Sequence, residues 1–269
     1  MILAAGRGER MRPLSDATPK PLLAVGGVPF IVRHIEALAR AGVDHIVVNT
    51  AWLGEQLESA LGDGSRWGVS LRYSPEGQRY GEALETAGGI ATAQPWRWPV
   101  RGEPGESPWA VGEAEGCYWL VSGDIYCPGF AFDPEAAQAF VSSSDLAHLW
   151  LVPNPPFHAR GDFVIEAGPI PVDKMGEAAI SRARPARAPT AAVHANERDT
   201  LTYANLALCR AELTIGVPPG TRVPLGPLLF EAAEAGLVGA RVWTGRWENV
   251  GTPAQLQALD AEVRGQLPG

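Results

Sequence analysis

The chain opens on a short apolar stretch, Met1-Ile2-Leu3-Ala4-Ala5, that runs without a break into Gly6-Arg7-Gly8-Glu9-Arg10. A strand this close to the start, followed at once by a glycine turn, constrains the architecture. The strand has to be buried among neighbours, and the turn presents backbone amides at its carboxyl end. Two glycines let the main chain approach an anion closely, with N–H groups aimed at it. Arg10, Arg12 and Lys20 add positive charge downstream, and Pro19 and Pro21 restrict the backbone on either side of the lysine. The segment reads as a phosphate-binding loop, but two well-known versions fail. A dinucleotide site wants a third glycine where Met11 stands and an acid at the end of the second strand, where Asn49 stands. A P-loop wants Gly-Lys-Ser/Thr closing a six-residue span, which is missing.

Beyond the loop, strand and helix signals alternate. Ile31, Ile35 and Leu38 recur at helical spacing before Gly42. Ile46–Val48 gives a second strand, Trp52–Leu61 a helix stopped by Gly62, and Val69–Tyr73 a third strand. A helix over Thr86–Ala93 and a strand over Tyr118–Val121 follow, with Ser122-Gly123-Asp124 at the strand's end. Residues 94–116, rich in Pro, Gly, Trp and Glu, read as an exposed excursion. Leu146–Val152 and Leu201–Leu208 read as strands, and Arg182–Thr190 as a loop. Leu256, Leu259 and Val263 share one face of a terminal helix after Thr252-Pro253. The expectation is an α/β, Rossmann-like three-layer sandwich with a mixed, mostly parallel sheet and ligands at the strands' carboxyl ends. Residues 1–269 are expected to form a single domain with two halves, approximately 1–125 and 126–269.

With 46% hydrophobic and 19% charged residues among 269, the chain has the make-up of an ordinary globular protein. Its formal net charge of -8 argues against non-specific nucleic-acid binding, which needs clustered Lys and Arg. Cys117, Cys127 and Cys209 form neither a zinc pattern nor a disulfide framework, which suits reduced thiols in a cytoplasmic protein. The apolar opening is too short for a signal peptide or a membrane span.

The string LAAGRGERMRPLSDATPKPL resembles the signature of the sugar-1-phosphate nucleotidyltransferases, G-x-G-x-R followed by P-K-P. Ala51-Trp52-Leu53-Gly54, Gly62-Asp63-Gly64-Ser65-Arg66, Tyr73-Ser74-Pro75-Glu76-Gly77, Leu84-Glu85-Thr86-Ala87-Gly88-Gly89, Ser122-Gly123-Asp124, Arg160-Gly161-Asp162-Phe163 and Val250-Gly251-Thr252 extend the resemblance along nearly the whole chain. It is narrowest to the N-acetylmuramate-1-phosphate uridylyltransferase group of cell-wall recycling. The resemblance implies that a sugar 1-phosphate attacks the α-phosphorus of a nucleoside triphosphate, UTP in that group, and that pyrophosphate leaves.

Residue by residue, the resemblance gives Ala5, Gly6 and Gly8 backbone roles around the phosphates. Arg10 neutralises the triphosphate, Lys20 reaches the reacting phosphates, and Asp124 is a magnesium ligand. Glu85, Thr86 and Gly88 line the nucleoside and sugar pocket, with Ala87 in place of the first of the usual three glycines. Gln78–Gly81 is a small insertion beside it. Asn154, Arg160, Asp162 and Asn205 fall on the sugar side, where a local Arg160–Asp162 ion pair is the plain alternative and His158 carries no assigned role. The chief departure is Asn249, where an aspartate serves as second metal ligand. Asparagine offers a carbonyl oxygen without charge, and neighbouring Glu248 points to the opposite strand face. Partners are thus a nucleoside triphosphate and a sugar 1-phosphate, with Mg²⁺ as cofactor, no membrane, no nucleic acid, and a monomeric state. A different sugar 1-phosphate, or a catalytically weak nucleotide-sugar-binding regulator, are the alternatives.

Overall fold

The computed structural model describes residues 1–95, 116–166, 181–186 and 200–265. Its strands are β1 (Ile2–Leu3), β2 (Ala24–Val25), β3 (Val28–Pro29), β4 (His45–Thr50), β5 (Ser70–Pro75), β6 (Cys117–Ser122), β7 (Ile125–Tyr126), β8 (Ala147–Pro153), β9 (Phe163–Glu166), β10 (Ser181–Pro185), β11 (Thr200–Arg210), β12 (Val238–Val242) and β13 (Glu248–Asn249). The helices are α1 (Leu14–Ala17), α2 (Phe30–Arg40), α3 (Gly54–Leu61), α4 (Glu76–Tyr80), α5 (Glu85–Ala93), α6 (Pro134–Val141), α7 (Leu225–Glu234) and α8 (Pro253–Val263).

Nine strands form one sheet in the order β5-β4-β1-β6-β11-β8-β12-β10-β9. Parallel pairing holds β5, β4, β1 and β6 together and joins β8 to β12. β11 runs antiparallel between β6 and β8, and β10 runs antiparallel between β12 and β9. All strands but β10 and β11 therefore point the same way, as the mixed α/β expectation requires.

Period-two alternation divides the apolar residues between the two faces of the sheet. Val48, Trp119, Val121, Trp150 and Val152 join Ile31, Ile35 and Leu38 of α2, Leu57 and Leu61 of α3 and Phe140 of α6 in one core. Val47, Leu120, Leu149 and Leu151 join Ala87 and Ile90 of α5 and Leu229 and Ala233 of α7 in the other. Helices on both sides make the three layers. A third cluster, holding Met11, Phe30, Tyr126, Val250, Leu256 and Leu259, seats α8 beside the glycine loop. Thr252 caps α8 by accepting from the Gln255 N–H at 3.3 Å.

Three expectations need correction. Residues 182–185 of the stretch read as a loop belong to β10, because Arg182 and Arg184 face outward while Ala183 and Pro185 are buried. Positions 187–190 lie outside the described residues, as do 96–115 of the excursion. α3 begins at Gly54, since Leu53 takes a left-handed conformation (φ 51) that the helix cannot include. Val263 is 37% exposed, although its Cγ1 packs close to Gly26. No helix among the described residues is long and apolar enough to cross a membrane.

α5 approaches the 218–223 segment closely: the amides of Ala87 and Gly88 both donate to Val223 O, at 2.9 and 3.1 Å. A methyl group on Gly88 would stand 1.9 Å from the Thr221 carbonyl oxygen. Gly88→Ala should therefore destabilise the fold by about 3 kcal/mol, the upper end for overpacking. The expected fall in Tm is roughly 6–12 °C, read by calorimetry. A Tm within about 2 °C of wild type would contradict this packing.

Candidate active site

A cleft of about 1070 Å³ opens at the carboxyl ends of β1, β4, β5 and β6, where residues 3–9, Lys20, residues 49–56, residues 75–78, Glu85, Thr86, Asp124 and Arg222 come together. Gly8 turns the loop with φ +64, and Ser15 Oγ donates to its carbonyl at 2.8 Å. A side chain at Gly8 would press on the Lys20 stem, its Cβ 3.2 Å from Lys20 Cβ. Glycine there serves both the turn and the close passage of the lysine.

Lys20 follows Pro19 into a 3-10 turn and is only 6% exposed. Its Nζ lies 2.8 Å from Asp124 Oδ2, joining residues 104 positions apart. The aspartate side chain keeps 33% of its surface, against 7% for the lysine. The glycine loop, the ammonium and the carboxylate thus meet at the cleft floor. Asp124 is held in place from below: Gly123 N–H donates to Leu3 O at 2.8 Å, and the His34 Nε2–H donates to the Ile125 carbonyl at 3.0 Å.

Other sequence-derived candidates fall into distinct places. Ala5, Gly6, Gly8, Glu85 and Thr86 border the cleft. Glu85 does so from a left-handed conformation (φ 61), bonded to Arg222 at 3.1 Å. Gly88 does not border it and is buried against Thr221. Arg10 is exposed and outside the cleft, its guanidinium beside Gly251. Asn249 sits on β13 opposite Ile125, one residue from Asp124. It borders a second cleft of about 630 Å³ with Phe157, Trp243 and Trp247. Trp247 Nε1 donates to Ala204 O at 2.9 Å, next to Asn205, whose φ of 59 marks the register shift between β11 and β8.

The sugar-side loop is internally bonded. The Asn154 amide donates to Thr200 Oγ1 at 2.8 Å and to Ala159 O at 3.1 Å, and accepts from Thr202 Oγ1 at 2.8 Å. Asp162 accepts from Tyr203 N–H at 2.9 Å and pairs with His158 at 3.0 Å. The expected alternative of an Arg160–Asp162 pair gives way to this histidine, and Arg160 is exposed. None of these three borders the larger cleft. Gln78–Tyr80, expected as part of a small insertion, completes α4 before Gly81 (φ +81).

Sequence reasoning missed several cleft residues. The Arg7 guanidinium lies 4.2 Å from the Trp52 ring, and Trp52 Nε1 donates to Ser15 O at 2.7 Å. Asn49 and Glu76 are both buried at the cleft's edge. A polar residue ending a β-branched run is a usable signal for Asn49, and Glu76 stands in the string Tyr73-Ser74-Pro75-Glu76-Gly77 that belongs to the family resemblance; Arg222 gives none.

Residues 1–96 match the family model described as nucleotidyl transferase, and a relative 40% identical over 266 residues covers 97% of this chain and 96% of its own. The chain belongs to the sugar-1-phosphate nucleotidyltransferase family. That relative is the N-acetylmuramate alpha-1-phosphate uridylyltransferase of Neisseria meningitidis serogroup B. The protein of the same description from Caulobacter vibrioides is 29% identical, covering 98% of this chain and 96% of its own. A crystal structure from Bacillus anthracis, assigned as a glucose-1-phosphate thymidylyltransferase in complex with sucrose, shares the fold. Its TM-score is 0.70 at 18% identity, over 100% of this chain and 96% of its own.

Burial pushes the His34 pKa down from 6.5 to about 4, outweighing its bond to Ile125 and the nearby Asp124 charge. Between pH 6.5 and 4 the unfolded chain then binds the extra proton, so stability should fall as pH falls through that window and stay level above it. The loss attributable to this group is roughly 3 kcal/mol by pH 4. In urea titrations, His34→Gln should lose less stability than wild type between pH 7 and pH 4.5. Parallel slopes would mean that His34 is not held neutral.

Proposed function

We propose that the protein transfers the uridylyl group of UTP to N-acetylmuramate 1-phosphate, giving the nucleotide sugar and pyrophosphate in cell-wall recycling. The observation that carries the chemistry is the Lys20–Asp124 contact beneath the glycine loop. The choice of substrates follows the two full-length relatives. In this reading the first half of the chain receives the nucleotide and the second half the sugar, with Asn205 and Arg160 on the sugar side. It also puts the reaction in the cytoplasm, on a monomer.

A phosphate oxygen of the sugar 1-phosphate attacks the α-phosphorus in line, and the bond to pyrophosphate breaks. The attacking oxygen is ionised at neutral pH, so no protein base is needed. Loop amides from Ala5 to Gly8 cradle the phosphates, and Lys20 meets the charge that gathers on the non-bridging oxygens. Arg10 lies outside the cleft and would act on the triphosphate from its rim. The donor set fits a hard divalent ion such as magnesium. Lys20 engages Asp124 through Oδ2, and Asn249, whose backbone pairs with Ile125 beside Asp124, would offer an amide oxygen. Among the described residues no group of three or more His, Cys, Asp or Glu surrounds them, so phosphate oxygens and water would complete the shell. Such an ion would supply further positive charge at the phosphates.

Pyrophosphate release, measured with magnesium across four nucleoside triphosphates and several sugar 1-phosphates, should be strong for UTP with N-acetylmuramate 1-phosphate. A different productive pair would replace the substrates while keeping the chemistry. Lys20→Ala and Asp124→Ala should each slow turnover by about a hundredfold or more; near-wild-type turnover in both would dismiss this assignment. Asn249, which brings no charge to the metal, favours a second reading as a nucleotide-sugar-binding regulator. Tight UTP binding with no pyrophosphate release from any pair would select it.

A further inference from the structure

Beneath the cleft runs a chain of hydrogen bonds that phosphate binding leaves unexplained. Asn49, 3% exposed, stands near the carboxyl end of β4. Its Oδ1 accepts from the Ala4 N–H at 2.8 Å, where β1 passes into the glycine loop. Its Nδ2 donates to Glu76 Oε1 at 2.7 Å. The second carboxylate oxygen, Glu76 Oε2, accepts from the Leu84 N–H at 2.8 Å, just before α5. Glu76 is 1% exposed; burial raises its pKa, and the Leu84 and Asn49 donors pull the other way.

Among the described residues this carboxylate is held only by neutral N–H groups, which is an unusual arrangement for a buried charge. It has been given room: a methyl group on Gly89 would stand 2.5 Å from Glu76 Oε1 and 2.9 Å from Asn49 Nδ2. The start of the glycine loop, β4, α4 and the start of α5 therefore converge on two side chains. Those elements carry two parts of the cleft lining, residues Ala5 to Gly8 and the pair Glu85 and Thr86.

We propose that Asn49 and Glu76 are positioning residues that fix the spacing between the glycine loop and the Glu85–Thr86 wall, and so set the width of the nucleotide site. The effect on nucleotide rests on the proposed function; the effect on the Ala4 backbone does not.

The bond pattern suggests a swap. Asn49→Asp sets two carboxylates against each other. Glu76→Gln leaves one N–H donor facing another, however the two amides are turned. In Asn49→Asp/Glu76→Gln the new carboxylate at position 49 accepts from Ala4 and from the new amide at position 76, whose oxygen accepts from Leu84. All three bonds and the net charge return. The measurements are Ala4 amide hydrogen exchange, UTP affinity by calorimetry with magnesium, and the thermal midpoint, on wild type and the three variants.

Each single variant should exchange Ala4 and lose UTP affinity by about tenfold, and the swap should recover both to within about threefold. Singles with a lowered midpoint but wild-type Ala4 exchange and UTP affinity would reduce the pair to ordinary core structure and overturn the inference. A swap no better than either single would overturn it too. If wild type itself fails to bind UTP, the substrate reading fails, and Ala4 exchange in the singles and the swap still decides the network.

Discussion

A nearly buried ammonium needs a partner, and at the cleft floor that need organises the site. Lys20 is drawn under the glycine loop by its flanking prolines and by a glycine that leaves room for its stem. A lone charge in that position would be prohibitively destabilising. Asp124 supplies the counter-charge from the end of β6, and so the loop after β1 and the turn after β6 are bound to one another. The aspartate stays partly in solvent, which keeps a lobe of the carboxylate open to whatever the cleft receives. In the proposed function, the same contact that satisfies the lysine preorganises positive charge for the phosphate oxygens of the nucleotide.

Around that floor the sheet divides the labour. The four parallel strands β5, β4, β1 and β6 present their carboxyl ends to the larger cleft, and β11 intervenes antiparallel before β8 and β12 present theirs to the smaller one. β13, pairing with β7, returns Asn249 to the boundary between the two. The aromatic lining of the second cleft and the amide-rich lining of the first are thus consequences of strand order.

Much of this was legible in the sequence, for identifiable reasons. Buried strands such as β4 and β8 announce themselves as apolar runs, and α2 by the spacing of Ile31, Ile35 and Leu38. The glycine loop and Lys20 could be read because proline and glycine act locally. Asn154 and Asp162 could not be sorted the same way: their chemistry suits a ligand, but only tertiary structure shows their oxygens and nitrogens already taken by Thr200, Thr202, Tyr203 and His158. β10 was misread since its two arginines and proline resemble a loop until pairing with β12 and β9 turns the arginines outward and buries Pro185. Asn49 registered only as the lack of a dinucleotide-binding acid and Glu76 only as a member of the string Tyr73-Ser74-Pro75-Glu76-Gly77; their bond to one another is set by tertiary structure.

The far end of the sheet has a consequence of its own. β9 pairs with β10 and also with the start of β11, so β11, β8, β12, β10 and β9 close into a ring. Among the described strands of the sheet, that closure leaves β5 as the one open border. An open border invites another chain to add a strand, the first step toward aggregates. Here it carries an outward Arg72 and ends in Pro75, a charge and a missing N–H that both discourage such addition. The features of that border that discourage strand addition lie within the six residues Ser70–Pro75, whose last member lines the cleft.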